Sequence, residues 1–195
     1  FCTLILYKKD DRGMLGRENT TVDYDGRRTL VIGDVNTGKT RFTETILARW
    51  IAQGRSQEIV VLDLAPETQE TIGGRIHLPA GFPGVLLATT IAAPRLSGRD
   101  EEEADLLAQT NADAIEPLFQ DPRLASCSIL VINDVTLYLQ AGNYDDLWAV
   151  IRPVETVLIN AYYGDSFPDY RLSRQERRLT ELLIKDCHQV IRLAN

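Results

Sequence analysis

A three-layer α/β/α fold around a mostly parallel sheet is predicted by three features of this chain. Several apolar runs, among them 59–62 and 129–132, are continuous rather than alternating, as strands covered on both faces must be. Segments of helical periodicity separate these runs almost throughout, which suits crossover connections between parallel strands. Between the first such strand and the first such helix lies Gly33-Asp34-Val35-Asn36-Thr37-Gly38-Lys39-Thr40, which fits the phosphate-loop pattern G-x-x-x-x-G-K-[ST].

The context gives that pattern a mechanism. Residues 28–32 read as a short buried strand, and Phe42, Ile46, Leu47, Trp50 and Ile51 fall largely on one helical face. A strand, a glycine-bounded turn and a helix start point successive backbone N–H groups into one concavity, where the positive end of the helix dipole adds attraction for a polyphosphate. Gly33, Asn36, Thr37, Gly38, Lys39, Thr40 and Arg41 are therefore the expected contacts to a nucleoside triphosphate. Lys39 would reach the outer phosphates and Thr40 would hold a magnesium ion. Asp34 is expected to point outward, because a carboxylate facing a triphosphate is repelled. The predicted fold class is thus that of a P-loop NTPase.

The remaining elements follow in order. Residues 58–63 form a second strand ending in Asp63, and a polar, Gly-rich connection leads on from Pro66 to Gly81. Residues 84–91 read as a third strand, followed by a loop with Arg95 and Arg99. Asp100, Glu101, Glu102 and Glu103 mark a helix N-terminus, where negative charge is favoured, and that helix should stop near Ile115, ahead of Pro117. Residues 128–132 are a buried strand closed by Asn133 and Asp134. A helix is expected over about 145–151 and a strand over 155–159. Ser173-Arg174-Gln175-Glu176 reads as a capping box opening a helix, and 189–193 as the last strand. Residues 1–25 are expected to be an N-terminal strand or arm, and 26–195 a single nucleotide-binding domain.

Composition excludes several classes. The chain has 195 residues and a formal charge of −7, which argues against nonspecific binding of long nucleic acid but allows a small, locally basic site. Three widely spaced cysteines and two histidines make neither a disulfide framework nor a zinc site, and they suit a reducing cytoplasm. No apolar run approaches bilayer length, and residues 2–7 are too short for a signal-peptide core, so no membrane association is expected.

Phosphoryl transfer needs a metal-holding carboxylate and a group that orients the nucleophile. Two strands end in Asp. Asp134 closes the more hydrophobic run and is the first choice for the Walker B acid; Asp63 would share that task or accept a proton from an attacking hydroxyl. An Asp that merely caps the loop after a strand is the alternative for each. Val135 stands where many ATPases carry a water-polarising Glu, and Leu137 where a signalling GTPase would carry the Gly of D-x-x-G, so both classes lose weight. Asn160-Ala161-Tyr162-Tyr163 replaces a guanine-reading N-K-x-D, and Asn160 reads more readily as a turn former than as a base contact.

The run Leu62-Asp63-Leu64-Ala65-Pro66-Glu67, the later Ile76-His77-Leu78, and Leu130-Val131-Ile132-Asn133-Asp134 followed by Gly142 resemble the P-loop domain of polynucleotide 5′-hydroxyl kinases of RNA processing. Ala65 and Glu67 depart from the family's second Asp and its Gly, and Thr68 stands in place of its Gln. The resemblance implies a member of the kinase-GTPase division using ATP and Mg²⁺, with an RNA or DNA end or a small hydroxyl compound as acceptor. It implies Asp63 as the base, with Arg95 and Arg99 as lid residues. Arg99 also stands beside four carboxylates, which alone would account for it as an exposed salt-bridge cluster. Catalytic candidates are thus Lys39, Asp63 and Asp134. ATP and GTP both remain open, as does a nucleotide-dependent switch with a protein partner, whose moving part would be 71–84.

Overall fold

The computed structural model describes residues 3–8, 22–66 and 74–194. Its strands are β1 (Thr3–Lys8), β2 (Arg28–Gly33), β3 (Ile59–Asp63), β4 (Val85–Ala88), β5 (Ile129–Asn133), β6 (Thr156–Tyr162) and β7 (Gln189–Ala194). They form one sheet in the order β1-β7-β2-β6-β5-β3-β4, with every pair parallel. The helices are α1 (Lys39–Ala52), α2 (Pro94–Ser97), α3 (Glu101–Phe119), α4 (Thr136–Leu139), α5 (Tyr144–Ile151) and α6 (Arg171–Asp186). This is an α/β P-loop NTPase-like fold, with a sheet that is parallel throughout.

Strand periodicity of two divides the core. Leu30, Ile32, Leu62, Leu130, Ile132 and Ile159 face one way, and pack with Ile115 of α3, Leu139 of α4, Leu147 of α5 and Leu183 of α6. Val31, Val61, Val131 and Leu158 face the other way, against Phe42, Ile46, Leu47 and Trp50 of α1. One face therefore carries a single long helix and the other carries most of the rest. At the carboxyl edge of the sheet, β6 lies between β2 and β5, so the end of β6 stands between the phosphate loop and the turn that bears Asp134.

Several boundaries differ from the sequence expectation, each for a tertiary reason. The third strand stops at Ala88, level with Asp63 where its neighbour β3 ends, and further on Asn111 of α3 takes both backbone groups of Ala92, with N–H to Oδ1 at 2.9 Å and Nδ2 to O at 3.0 Å. Helix α3 runs through Pro117 to Phe119 instead of stopping near Ile115. The missing N–H costs one bond in the last turn, and Phe119 offsets it by packing edge-to-face on Tyr138, 4.9 Å between centroids. The short helix α2 occupies a segment read as loop, and α4 one for which no element was expected.

The capping box is a correction. Helix α6 begins at Arg171 with Tyr170 as its N-cap, and Glu176 is instead a buried residue in its second turn. The N-terminal strand pairs with β7 from Thr3 beside Gln189 onward, whereas the rest of the expected arm, 9–21, lies outside the described residues. So do Glu67, Thr68 and 71–73 of the Gly-rich connection. No described helix is long and apolar enough to cross a membrane.

Candidate functional site

The phosphate loop owes its shape to two glycines. At Gly33 a Cβ would lie 2.6 Å from Thr37 Oγ1 and 2.7 Å from the Leu193 carbonyl, so no side chain fits where the loop leaves β2. Gly38 takes a left-handed φ of +87° as the N-cap of α1, a conformation that costs glycine little. Thr37 is buried, and its hydroxyl donates to the Asp34 carbonyl at 3.0 Å, while Lys39 Nζ donates to the same oxygen at 2.6 Å. The ammonium is thus drawn into the loop, and loss of hydration holds its pKa below the usual lysine value against the attraction of Asp134 and Asp34. The Asp34 carboxylate turns away, accepting from the N–H groups of Val35 at 2.6 Å and Asp165 at 3.2 Å.

Beside the loop, three strand ends meet in a chain of polar side chains. Asn160 of β6 donates to Asn133 Oδ1 at 2.8 Å and to Thr43 Oγ1 at 3.0 Å, and its own Oδ1 accepts the Asp134 N–H at 2.9 Å. Asn133 donates in turn to Asp63 Oδ1 at 2.7 Å, and the Thr40 hydroxyl donates to Asn133 Oδ1 at 3.3 Å. The grip of Asn160 on the β5 turn leaves Asp134 at a φ of +55°, which Asp tolerates better than most residues. The Thr136 hydroxyl donates to the Asp134 carboxylate. Burial holds Asp134 above the ordinary carboxylate range, and the Thr136 hydroxyl and Lys39 work against that rise.

The two strand-end aspartates therefore part company. Asp134 lines a cavity of about 350 Å³ together with Asn36, Gly38, Lys39, Thr40 and Arg41. Asp63 is 1% exposed and sits behind Asn133, accepting from Asn133, from Ile76 N–H at 2.9 Å and from Ala65 N–H at 3.4 Å. Gly33 and Thr37 belong to the frame of the loop rather than the cavity wall. Thr40 and Asp134 present a hydroxyl and a carboxylate to one space, hard oxygen donors of the kind Mg²⁺ takes together with phosphate oxygens and water. Among the described residues no group of three His, Cys, Asp or Glu could hold a metal alone, so an ion there would depend on the phosphates for the rest of its shell.

The far wall of the cavity contains residues that carry little signal in the sequence. Arg95 of α2, a lid candidate, lies 4.0 Å over the Phe167 ring and 5.0 Å over the Tyr162 ring, and Lys39 Nζ stands 5.9 Å from that same Tyr162 ring. Its guanidinium pairs in a fork with Glu176, Nη1 to Oε1 at 3.1 Å and Nη2 to Oε2 at 3.0 Å. Gln140 donates to Glu176 Oε2 at 2.9 Å. Arg99, by contrast, is 87% exposed and pairs with Glu103 at 2.8 Å, the salt-bridge cluster that its acidic neighbours suggested. Tyr162, Phe167 and Gln140 lacked any motif that could have marked them; a strand end rich in Asn and Tyr was the nearest hint.

No family model matches the chain, nor does a curated protein sequence. Among solved structures, the flagellar accessory protein FlaH from Methanocaldococcus jannaschii superposes with a TM-score of 0.50 at 10% identity, over 86% of this chain and 71% of that one. The Pif1 helicase from Candida albicans is matched with a TM-score of 0.37 at 13% identity, over 87% of this chain and 36% of the helicase. The likeness to FlaH is one of fold, and it agrees with the P-loop NTPase-like architecture described above.

Proposed function

We propose that this protein binds a nucleoside triphosphate with Mg²⁺ in the cavity above the phosphate loop, and that it works as a nucleotide-dependent switch with slow turnover. Lys39 and the loop N–H groups would neutralise the phosphates, with Thr40 and Asp134 at the metal. Lys39 and Arg41 line the cavity of a protein whose overall charge is −7, with Arg95 beside them in its pair with Glu176, and these cations favour a polyanion there.

One observation favours the switch over the kinase. Among the described residues that line the cavity, Asp134 is the only carboxylate. A carboxylate that holds the metal does not also act as a general base, and Asp63 is shut behind Asn133. Acceptor-directed phosphoryl transfer, the reaction that the kinase resemblance implies, is the second reading, and the phosphate loop itself supports it equally.

Incubation with Mg²⁺ and terminally labelled ATP or GTP, with and without short 5′-hydroxyl RNA or DNA, tests the choice. Label released as free phosphate at well under about one turnover per second supports the switch, whereas label on the oligonucleotide overturns it in favour of the kinase. Lys39→Ala is expected to weaken fluorescent-nucleotide binding roughly 100-fold, the loss of one or two charge-assisted hydrogen bonds, with an unchanged melting temperature. Equal affinity in that variant would remove the nucleotide site altogether.

A further inference from the structure

Arg95, held in a pair with Glu176, is an unusual wall residue for a cavity proposed to receive polyphosphate. Side-chain exposures of 8% and 3% make it a buried ion pair, so each charge is tolerated only because the other is present. Yet Arg95 also lines the cavity that holds Lys39, Thr40 and Asp134. Its carboxylate partner comes from another element, and the guanidinium rests over the edge-to-face pair of rings Tyr162 and Phe167, which supply a cation–π surface but no competing anion.

Gln140 makes the wall chemically incomplete. It is 1% exposed and lines the same cavity, its Nε2 donates to Glu176, and its Oε1 has no hydrogen-bond partner among the described residues. A buried acceptor without a donor is costly. Turning the amide over would present Oε1 to Glu176, which is useful only if that carboxyl carries a proton to donate. Gln140 can therefore serve Glu176 in either protonation state.

We propose that Arg95 exchanges partners when a nucleoside triphosphate binds, leaving Glu176 for the terminal phosphate, and that Glu176 takes up one proton from solvent as it loses the guanidinium. This rests on the nucleotide-binding reading above and adds a linkage to it. The balance is simple: the terminal phosphate gains a cation, the buried carboxylate gains H⁺, and Gln140 Oε1 accepts from the new O–H. No charge is stranded in the interior.

The groups around Glu176 make that proton accessible near neutrality. Arg95 of α2 and Gln140 beyond α4 touch it, while Asp134 after β5 raises its affinity for a proton from a distance and Lys39 of α1 shares the same field. Burial pushes the Glu176 carboxyl up to about 7 even while Arg95 is lowering it. Removing the guanidinium can only raise it further. The sign follows: triphosphate binding that takes up H⁺ weakens as pH rises above 7, up to about tenfold per pH unit.

The decisive measurement is calorimetric titration of the full chain at pH 7.8 with the Mg²⁺ complexes of the non-hydrolysable analogues of ATP and GTP and of ADP and GDP. Each is run in two buffers of different ionisation enthalpy. The expected result is close to one proton more taken up by wild type than by Glu176→Gln for a triphosphate analogue, with no such difference for the diphosphates. Glu176→Gln, a stand-in for the protonated side chain, should also bind the triphosphate analogue more tightly than wild type at pH 8. Equal proton uptake in both proteins, or for triphosphate and diphosphate alike, overturns the exchange. If Glu176→Gln does not fold, the wild-type difference between triphosphate and diphosphate decides by itself. Absence of binding to any of the four nucleotides would instead sink the nucleotide reading.

Discussion

The carboxyl ends of β3 and β5 look alike in sequence and do opposite work in the structure. Each is a continuous apolar run closing on an aspartate, Asp63 in one case and Asp134, one residue past the strand, in the other. The first is a structural hub whose oxygens are occupied by an Asn side chain and two backbone N–H groups. The second opens onto the cavity with one hydroxyl for company. The difference comes from strand order. β5 is one strand away from the phosphate-loop strand, across β6, whereas β3 lies beyond β5, so Asn133 of β5 stands between Asp63 and the loop.

The largest expected effect falls on the aspartate that the cavity does not see. Asp63→Ala would orphan the buried donors Asn133 Nδ2, Ile76 N–H and Ala65 N–H, and at roughly 1–3 kcal/mol for each group left unsatisfied the chain should lose about 4 kcal/mol of stability. Urea unfolding measures this directly. A loss under about 1 kcal/mol would show that Asp63 is not the hub and would return it to contention as a base.

Asp134→Ala should read out in the opposite way. Its carboxylate is held above the ordinary range by burial, so its removal costs the fold little, and the Thr136 hydroxyl is free to rotate to another acceptor. Nucleotide affinity measured with Mg²⁺ should fall roughly 30-fold, and affinity measured in chelator should stay put. An equal loss with and without Mg²⁺ would make Asp134 a contact to something other than the metal.

That contrast marks how far the sequence could be read. The phosphate loop and its flanking strand and helix were legible because a glycine needing a left-handed φ, a lysine and an apolar periodicity all lie within a few residues of one another. The parallel sheet was legible from runs covered on both faces. Strand order was not, and strand order decides which aspartate faces the cavity. Glu176 was misread for the same reason: three residues after Ser173 it imitates a capping box, whereas its partner Arg95 lies 81 residues earlier. Asn160, read as a turn former, instead clamps the ends of β5 and α1 together, a role that only the position of β6 between β2 and β5 confers.

Arg95 and Arg99 repeat the lesson at closer range and give the smallest expected effect. They stand four residues apart, and a lid drawn from sequence would use both. Pro94 starts a single turn of helix that aims Arg95 inward over Tyr162 and Phe167, while the chain after Gly98 leaves Arg99 in solvent at the start of α3. There it bonds Glu103 through both its side chain and its backbone N–H, and that contact lowers the carboxyl's pKa. An exposed pair of this kind is screened by water and salt. Arg99→Ala should therefore move the melting temperature by less than about 2 °C and nucleotide affinity by less than about twofold. A clear loss of triphosphate affinity in that variant, with diphosphate affinity intact, would mean that α2 and the start of α3 fold over the bound nucleotide together, and that the wall formed by Arg95 is only half of the closing element.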